Sequence, residues 1–139
     1  PHYNTDDHNQ DNWPKTLLEL EEKIKKADGV IFVTPEYNFS VPGYLKNCID
    51  WISRLPNQPL DRKPVCIQSA SLGPLGGARV QYHLRQILVF LNAKVMNKNE
   101  IFVTFAKQKF EENSGKLTDR TTIKFIGKQL DAFYNFIDE

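Results

Sequence analysis

VIFVTPEYNFSVPG, Val30 to Gly43, decides the reading of this chain. Val30–Val33 is a short β-branched and aromatic run without alternation, the pattern of a strand buried on both faces of a parallel sheet. The segment after it is no minimal Gly/Asn turn. Thr34 to Gly43 is polar, aromatic and bracketed by Pro35 and Pro42, each of which fixes φ and lowers the entropy of the unfolded loop. A stiff, aromatic loop at the carboxyl end of a buried strand is a candidate ligand edge: Tyr37 and Phe39 offer stacking surface, and Asn38 offers hydrogen bonds. The alternative is that both rings fold into the core and Glu36 is merely solvated.

Outward from this stretch, strands and helices alternate. Leu17, Leu20, Ile24 and Ala27 recur at helical spacing after Trp13-Pro14, and Asp28-Gly29 stops that helix. Downstream, Leu45, Ile49 and Ile52 mark a helix that starts near Pro42. Pro64–Ala70 reads as a second strand, and Ala78 to Asn92 as a helix with Val80, Leu84, Ile87, Leu88 and Leu91 on one face. A third strand region covers Lys94 to Phe105, interrupted near Asn97 to Asn99. Glu111 to Asp119 is a turn, and a last helix from Thr118 to Ile137 aligns Ile123, Ile126, Leu130, Phe133 and Ile137. The leader, Pro1 to Asn12, has no periodicity and reads as loop. This order implies right-handed βαβ crossovers and a mainly parallel α/β sheet.

Ligands of such sheets bind beyond the carboxyl ends of the strands. A second long loop, Ser69 to Gly77, occupies that place after Pro64–Ala70. Its Ser71, Gly73, Gly76 and Gly77 let backbone N–H groups approach an electron-rich ligand at the positive end of the next helix. The spacing is neither a Walker loop nor a dinucleotide fingerprint, and turning the chain is the competing reading of these glycines.

The chain has 139 residues, enough for one domain spanning residues 1–139 with a sizeable core. Its 18 Lys and Arg are interspersed among 17 Asp and Glu, so no basic stripe marks it for nucleic acid. No apolar run approaches the roughly 20 residues that span a bilayer, and a cytoplasmic location is expected. Cys48 and Cys66 lie in apolar contexts without ligand spacing, and His2, His8 and His83 show none either, so inert thiols and no metal centre are expected. Neither a Ser-His-Asp arrangement nor paired catalytic carboxylates are evident.

TPEYNFSVPGYLKNCIDWISR closely resembles the Pro-Glu-Tyr-Asn-x-Ser-x-Pro-Gly-x-Leu-Lys-Asn-x-Ile-Asp-Trp-x-Ser-Arg signature of the NADPH-dependent FMN reductase family. GGARVQYHLRQ is similar to that family's second hallmark, and the whole looks nearest to its bacterial chromate and quinone reductase branch. The resemblance runs from Tyr3 almost to the end and implies a flavodoxin-like three-layer sandwich. It implies FMN as cofactor, NADPH or NADH as donor, and a small-molecule acceptor: a quinone, an azo or nitro compound, chromate or free flavin. It implies further that Pro35, Glu36, Tyr37, Asn38 and Phe39 border the flavin ring and that Ser71 and Gly73 approach it from another side. Arg79, Tyr82 and Glu100 become candidates for the interface of a homodimer or homotetramer. Relatives often have Tyr where this chain has Phe39, so a hydroxyl is missing there.

Members of the family open with a strand, a phosphate loop, a helix and a second strand, none of which precedes Pro1. The resemblance therefore implies a sheet lacking its first βαβ portion, with Val30–Val33 left short of a neighbour, and a chain that is a piece of a longer protein. Two other readings stay open: a flavodoxin-like electron carrier, disfavoured by the near-neutral charge, and an inactive fragment of the reductase.

Overall fold

The computed structural model describes residues 1–9 and 12–138. Helix α1 (Thr5–Asn9) is followed by α2 (Lys15–Lys26), strand β1 (Val30–Pro35), α3 (Gly43–Ile52), β2 (Pro64–Ala70) and α4 (Ala78–Phe90). Two short strands, β3 (Lys94–Val95) and β4 (Ile101–Val103), and the long helix α5 (Arg120–Ile137) complete the order. The sheet is parallel throughout. β2 is central, pairing with β1 from Val30↔Val65 to Pro35↔Ala70 and on its other side with β3 and then β4. β3 and β4 are thus one strand position broken at Met96–Glu100, where Asn99 takes a left-handed φ of 60°.

Three helices cover one face. Leu17 and Ile24 of α2, Ile49, Trp51 and Ile52 of α3, and Leu84 and Leu88 of α4 close over Val65 and Ile67 of β2. The expected apolar stripe of α4 is therefore its core face, and Val80, Leu84 and Leu88 are fully buried. On the other face α5 lies against β2 and β4, and Cys66, Met96 and Phe133 form a smaller core there.

Three expectations need correction. The leader is not a plain loop, because Thr5–Asn9 is helical and Tyr3 packs edge-on to Trp51 at 5.1 Å, with its N–H donated to Asn47 Oδ1; Gln10 and Asp11 lie outside the described residues. β1 is not buried on both faces: Val30 and Phe32 pack into the larger core, whereas Val33 is 72% exposed and Ile31 is also exposed. Its uncovered face arises because α5 lies over β2 and β4 instead, and β1 has no second strand neighbour among the described residues. On α5, Ile123 and Leu130 point outward and the buried positions are Thr122, Gln129 and Phe133. The helix is rotated because Gln129 hydrogen-bonds into the sheet, to Gln68 and Ile67 of β2.

Candidate functional site

The register Pro35↔Ala70 brings the loops after β1 and β2 out of the sheet side by side. The first loop is built on a tight turn. Tyr37 N–H donates to Ser40 O at 3.1 Å and Ser40 N–H to Tyr37 O at 3.0 Å. Asn38 and Phe39, between them, both have positive φ, 49° and 65°. Asn tolerates this region, but an aromatic residue is strained in it, and such strain persists only where the surroundings fix it.

The aromatics are not core residues. Tyr37, Phe39 and Tyr44 are all more than half exposed, and the Tyr37 and Tyr44 rings meet edge to face at 6.4 Å. Pro42, in contrast, is fully buried and begins α3. The loop thus anchors at a proline and displays its rings. Glu36 is not simply solvated either, because its carboxylate turns back onto α4, with Oε2 3.1 Å from Val80 N.

The second loop divides its glycines between two tasks. Gly76 and Gly77 are taken up by packing: a Cβ on Gly76 would lie 2.6 Å from the Phe102 carbonyl carbon, and one on Gly77 2.7 Å from Ser69 Cβ. Gly73 faces open space, with nothing within 4 Å of where its Cβ would be. Ser71 N–H is used on Val103 O, while its hydroxyl makes only a 3.3 Å contact to Gly73 O and is free to reorient toward a ligand. Of the expected ligand-facing glycines, the open one is Gly73.

Beneath this loop runs a polar seam that the apolar periodicity of α4 does not announce. Fully buried Gln81 donates through Nε2 to Ile101 O at 2.6 Å and to Ser69 Oγ at 2.8 Å, and Ser69 Oγ donates to Gly76 O at 2.7 Å. One side chain of α4 thereby fixes β2, β4 and the loop between β2 and α4 together. Also unforeseen is the 3₁₀ turn Ala106–Gln108 after β4, whose start pairs with the same loop through Phe105 N to Gly73 O and Ala106 N to Ser71 O.

Of the interface candidates, Arg79 and Tyr82 lie on the first turns of α4, with Tyr82 53% exposed. The Arg79 guanidinium stacks 4.0 Å above the Phe39 ring. Glu100 has a different neighbour: its carboxylate is 3.6 Å from Arg85 Nη2. Cys48 is half-buried, and Cys66 is fully buried, with burial pushing its thiol up from 9.0 to about 11 despite the opposing effect of Arg85. At pH 8 only about one Cys66 in a thousand is then thiolate, so a disulfide reagent should leave it unmodified until urea unfolds the chain. Prompt reaction of both cysteines in the native protein would contradict this burial.

Comparison with known proteins adds the decisive observation: the model of the NADPH-dependent FMN reductase family matches residues 1–108. The chain belongs to the NADPH-dependent FMN reductase family. A quinone reductase of Escherichia coli K12 is 53% identical over 137 residues, covering 99% of this chain and 73% of the relative. An NAD(P)H-dependent FMN reductase of Pseudomonas aeruginosa is 46% identical over 120 residues, covering 86% and 64%. Among solved structures, the flavoenzyme NAD(P)H:(acceptor) oxidoreductase FerB of Paracoccus denitrificans superposes with a TM-score of 0.86 at 34% identity, over 99% of this chain and 75% of that one. FerB shares the flavodoxin-like α/β fold of this chain, and membership makes the protein an oxidoreductase that works with FMN and NAD(P)H.

The residues present suit the ring side of FMN. Exposed rings of Tyr37 and Phe39 stand on one loop, and Gly73 and the reorientable Ser71 hydroxyl stand on the adjacent one.

Proposed function

We propose that this chain, acting as a single domain, holds FMN between the loops after β1 and β2 and passes electrons from a nicotinamide to a small acceptor of the quinone type. The observation that carries this reading is the pairing of an aromatic, proline-anchored loop with an open Gly73 at adjacent strand ends, in a chain of this family. FMN, when bound, supplies the hydride chemistry at its N5. The protein's part is then to bind, to orient and to offset charge, a part that needs neither a nucleophile nor a dedicated base.

Pro35 and Asn38 place the Tyr37–Phe39 turn at the ring edge. Ser71 and Gly73 would border the ring from the second loop, where Gly73 leaves open space. Hydrogen-bond donors in that loop offset negative charge gained by the reduced ring. Donor and acceptor use the same exposed face in turn, a ping-pong sequence. Quinones are the acceptor class we favour, as in the name of the Escherichia coli relative; azo and nitro aromatics, chromate and free flavin are further acceptors to test. Arg79 and Tyr82, continuous with the exposed Val89 and Phe90 of α4, are the surface we assign to a homodimer or homotetramer, with Glu100 near its margin.

The test is spectral and kinetic. The purified protein should take up FMN, bleach on anaerobic addition of NADPH or NADH, and recolour when a benzoquinone is added. Steady-state rates with varied NADPH at several fixed quinone concentrations should give parallel double-reciprocal lines. Bleaching without steady quinone-driven NADPH oxidation would instead indicate an electron carrier.

A further inference from the structure

Glu36 performs a task distinct from contacting a ligand. Helix α4 begins after Gly77, at a φ of 81°, with no side-chain cap of its own. The Val80 N–H in its first turn is satisfied from elsewhere in the chain, by Glu36 Oε2 at 3.1 Å, while Oε1 is 3.5 Å from Arg79 Nη1. A carboxylate is the group that a helix N-terminus favours, through both the charge-assisted hydrogen bond and the helix dipole. The Glu36 side chain is only 11% exposed, so water screens this contact weakly.

Two further contacts seat the same loop on the same helix. Arg79 stacks on Phe39, and Ser40 Oγ lies 2.9 Å from His83 Nδ1. Arg79, Val80 and His83 occupy adjacent positions on one side of α4, so the loop is held along a full turn. Between these points the backbone carries the positive φ values of Asn38 and Phe39, which need such outside support. Glu36 is the sole charged, largely buried member of the set; the Ser40–His83 and Arg79–Phe39 contacts are solvent-exposed.

We infer that Glu36 is a positioning residue: its carboxylate locks the 34–41 loop to the first turn of α4 and so fixes Tyr37 and Phe39, without itself facing the flavin. The inference rests on the reading that this loop borders FMN. A free carboxylate beside the ring would oppose the negative charge of reduced flavin. Turned onto Arg79 and the α4 N-terminus, that charge is matched instead.

The test compares the whole chain with Glu36→Ala and Glu36→Gln. Amide hydrogen exchange is followed without FMN, and FMN release is followed by recovery of flavin fluorescence on dilution. Glu36→Ala should speed exchange at Val80 and Ser40 about tenfold or more while core amides such as Ile67 keep their protection. FMN release should accelerate by a similar factor. Glu36→Gln, whose amide oxygen still accepts from Val80, should recover most of both. Faster FMN release with unchanged Val80 and Ser40 exchange would make Glu36 a direct ligand and overturn the inference, as would equal damage from Ala and Gln or no change in either readout. A wild-type chain that takes up no FMN would overturn the proposed function and the flavin-facing half of the inference, and the exchange data would then decide the loop seat alone.

Discussion

Gly76→Ala is expected to lower the unfolding free energy by about 3 kcal/mol or more and to loosen the second loop of the proposed flavin site. Two costs combine. Gly76 has a φ of +58°, and a Cβ there would lie 2.6 Å from the carbonyl carbon of Phe102 and 2.9 Å from its oxygen. The left-handed conformation alone costs an L-residue about 1–2 kcal/mol. The clash cannot be relieved cheaply, because Phe102 is a strand residue registered against Ser69 and cannot retreat without breaking β4 from β2. Ser69 in turn donates to Gly76 O, so displacement of Gly76 disturbs the Gln81 seam as well. Gly73→Ala is the contrast: with open space around it and no left-handed φ, it should unfold within about 0.5 kcal/mol of the wild type. Its added methyl should instead weaken FMN uptake, since it enters the proposed ring site. Urea titrations of the two variants separate these effects, and a Gly76→Ala midpoint equal to wild type would show that the loop glycine is not held against β4.

Local patterns in the sequence carry part of this structure and not the rest. Strand Pro64–Ala70, the paired loops at the strand ends and the core stripe of α4 are legible from β-branched runs, prolines at turn positions and apolar residues at helical spacing. A run of Gly and Ser announces a close backbone approach, but not what approaches. Gly76 and Gly77 meet the chain's own β4 and β2, and of the three only Gly73 faces open space. Glu36 is similar, since nothing local distinguishes a solvated carboxylate from one that caps a helix 44 residues away. Exposure of β1 is a property of its neighbours, so the apolar run VIFV reads alike whether one face is covered or two. Periodicity errs most on α5, where apolar residues are plentiful all round the helix and polar hydrogen bonding sets its rotation.

Gln129→Leu should cost about 2–4 kcal/mol for that reason, although it places an apolar residue of similar size in a buried position. Gln129 is 2% exposed, and its amide is fully used. Nε2 donates to Asn99 O at 2.6 Å and to Ile67 O at 3.2 Å, and Oε1 accepts from Gln68 Nε2 at 2.8 Å. It thus ties α5 to β2 and to the left-handed Asn99 at the break between β3 and β4. Leucine would fill the volume and leave Gln68 Nε2 and the Asn99 carbonyl without these partners in a partly buried site, which costs more than one apolar side chain returns. Gln129→Glu should be worse at neutral pH, because its carboxylate could accept but not donate, among carbonyl oxygens. Burial would hold that new carboxyl above its usual range, so the unfolded chain ionises first as pH rises and stability falls from about pH 4 upward, by up to about 1.4 kcal/mol per pH unit until the folded form ionises too. Urea midpoints at pH 5 and pH 8 test the pair: the Leu variant should lose stability equally at both, and the Glu variant much more at pH 8. Wild-type midpoints for Gln129→Leu would mean that Phe133 packing alone fixes the rotation of α5, and that Ile123 and Leu130 are outward for another reason.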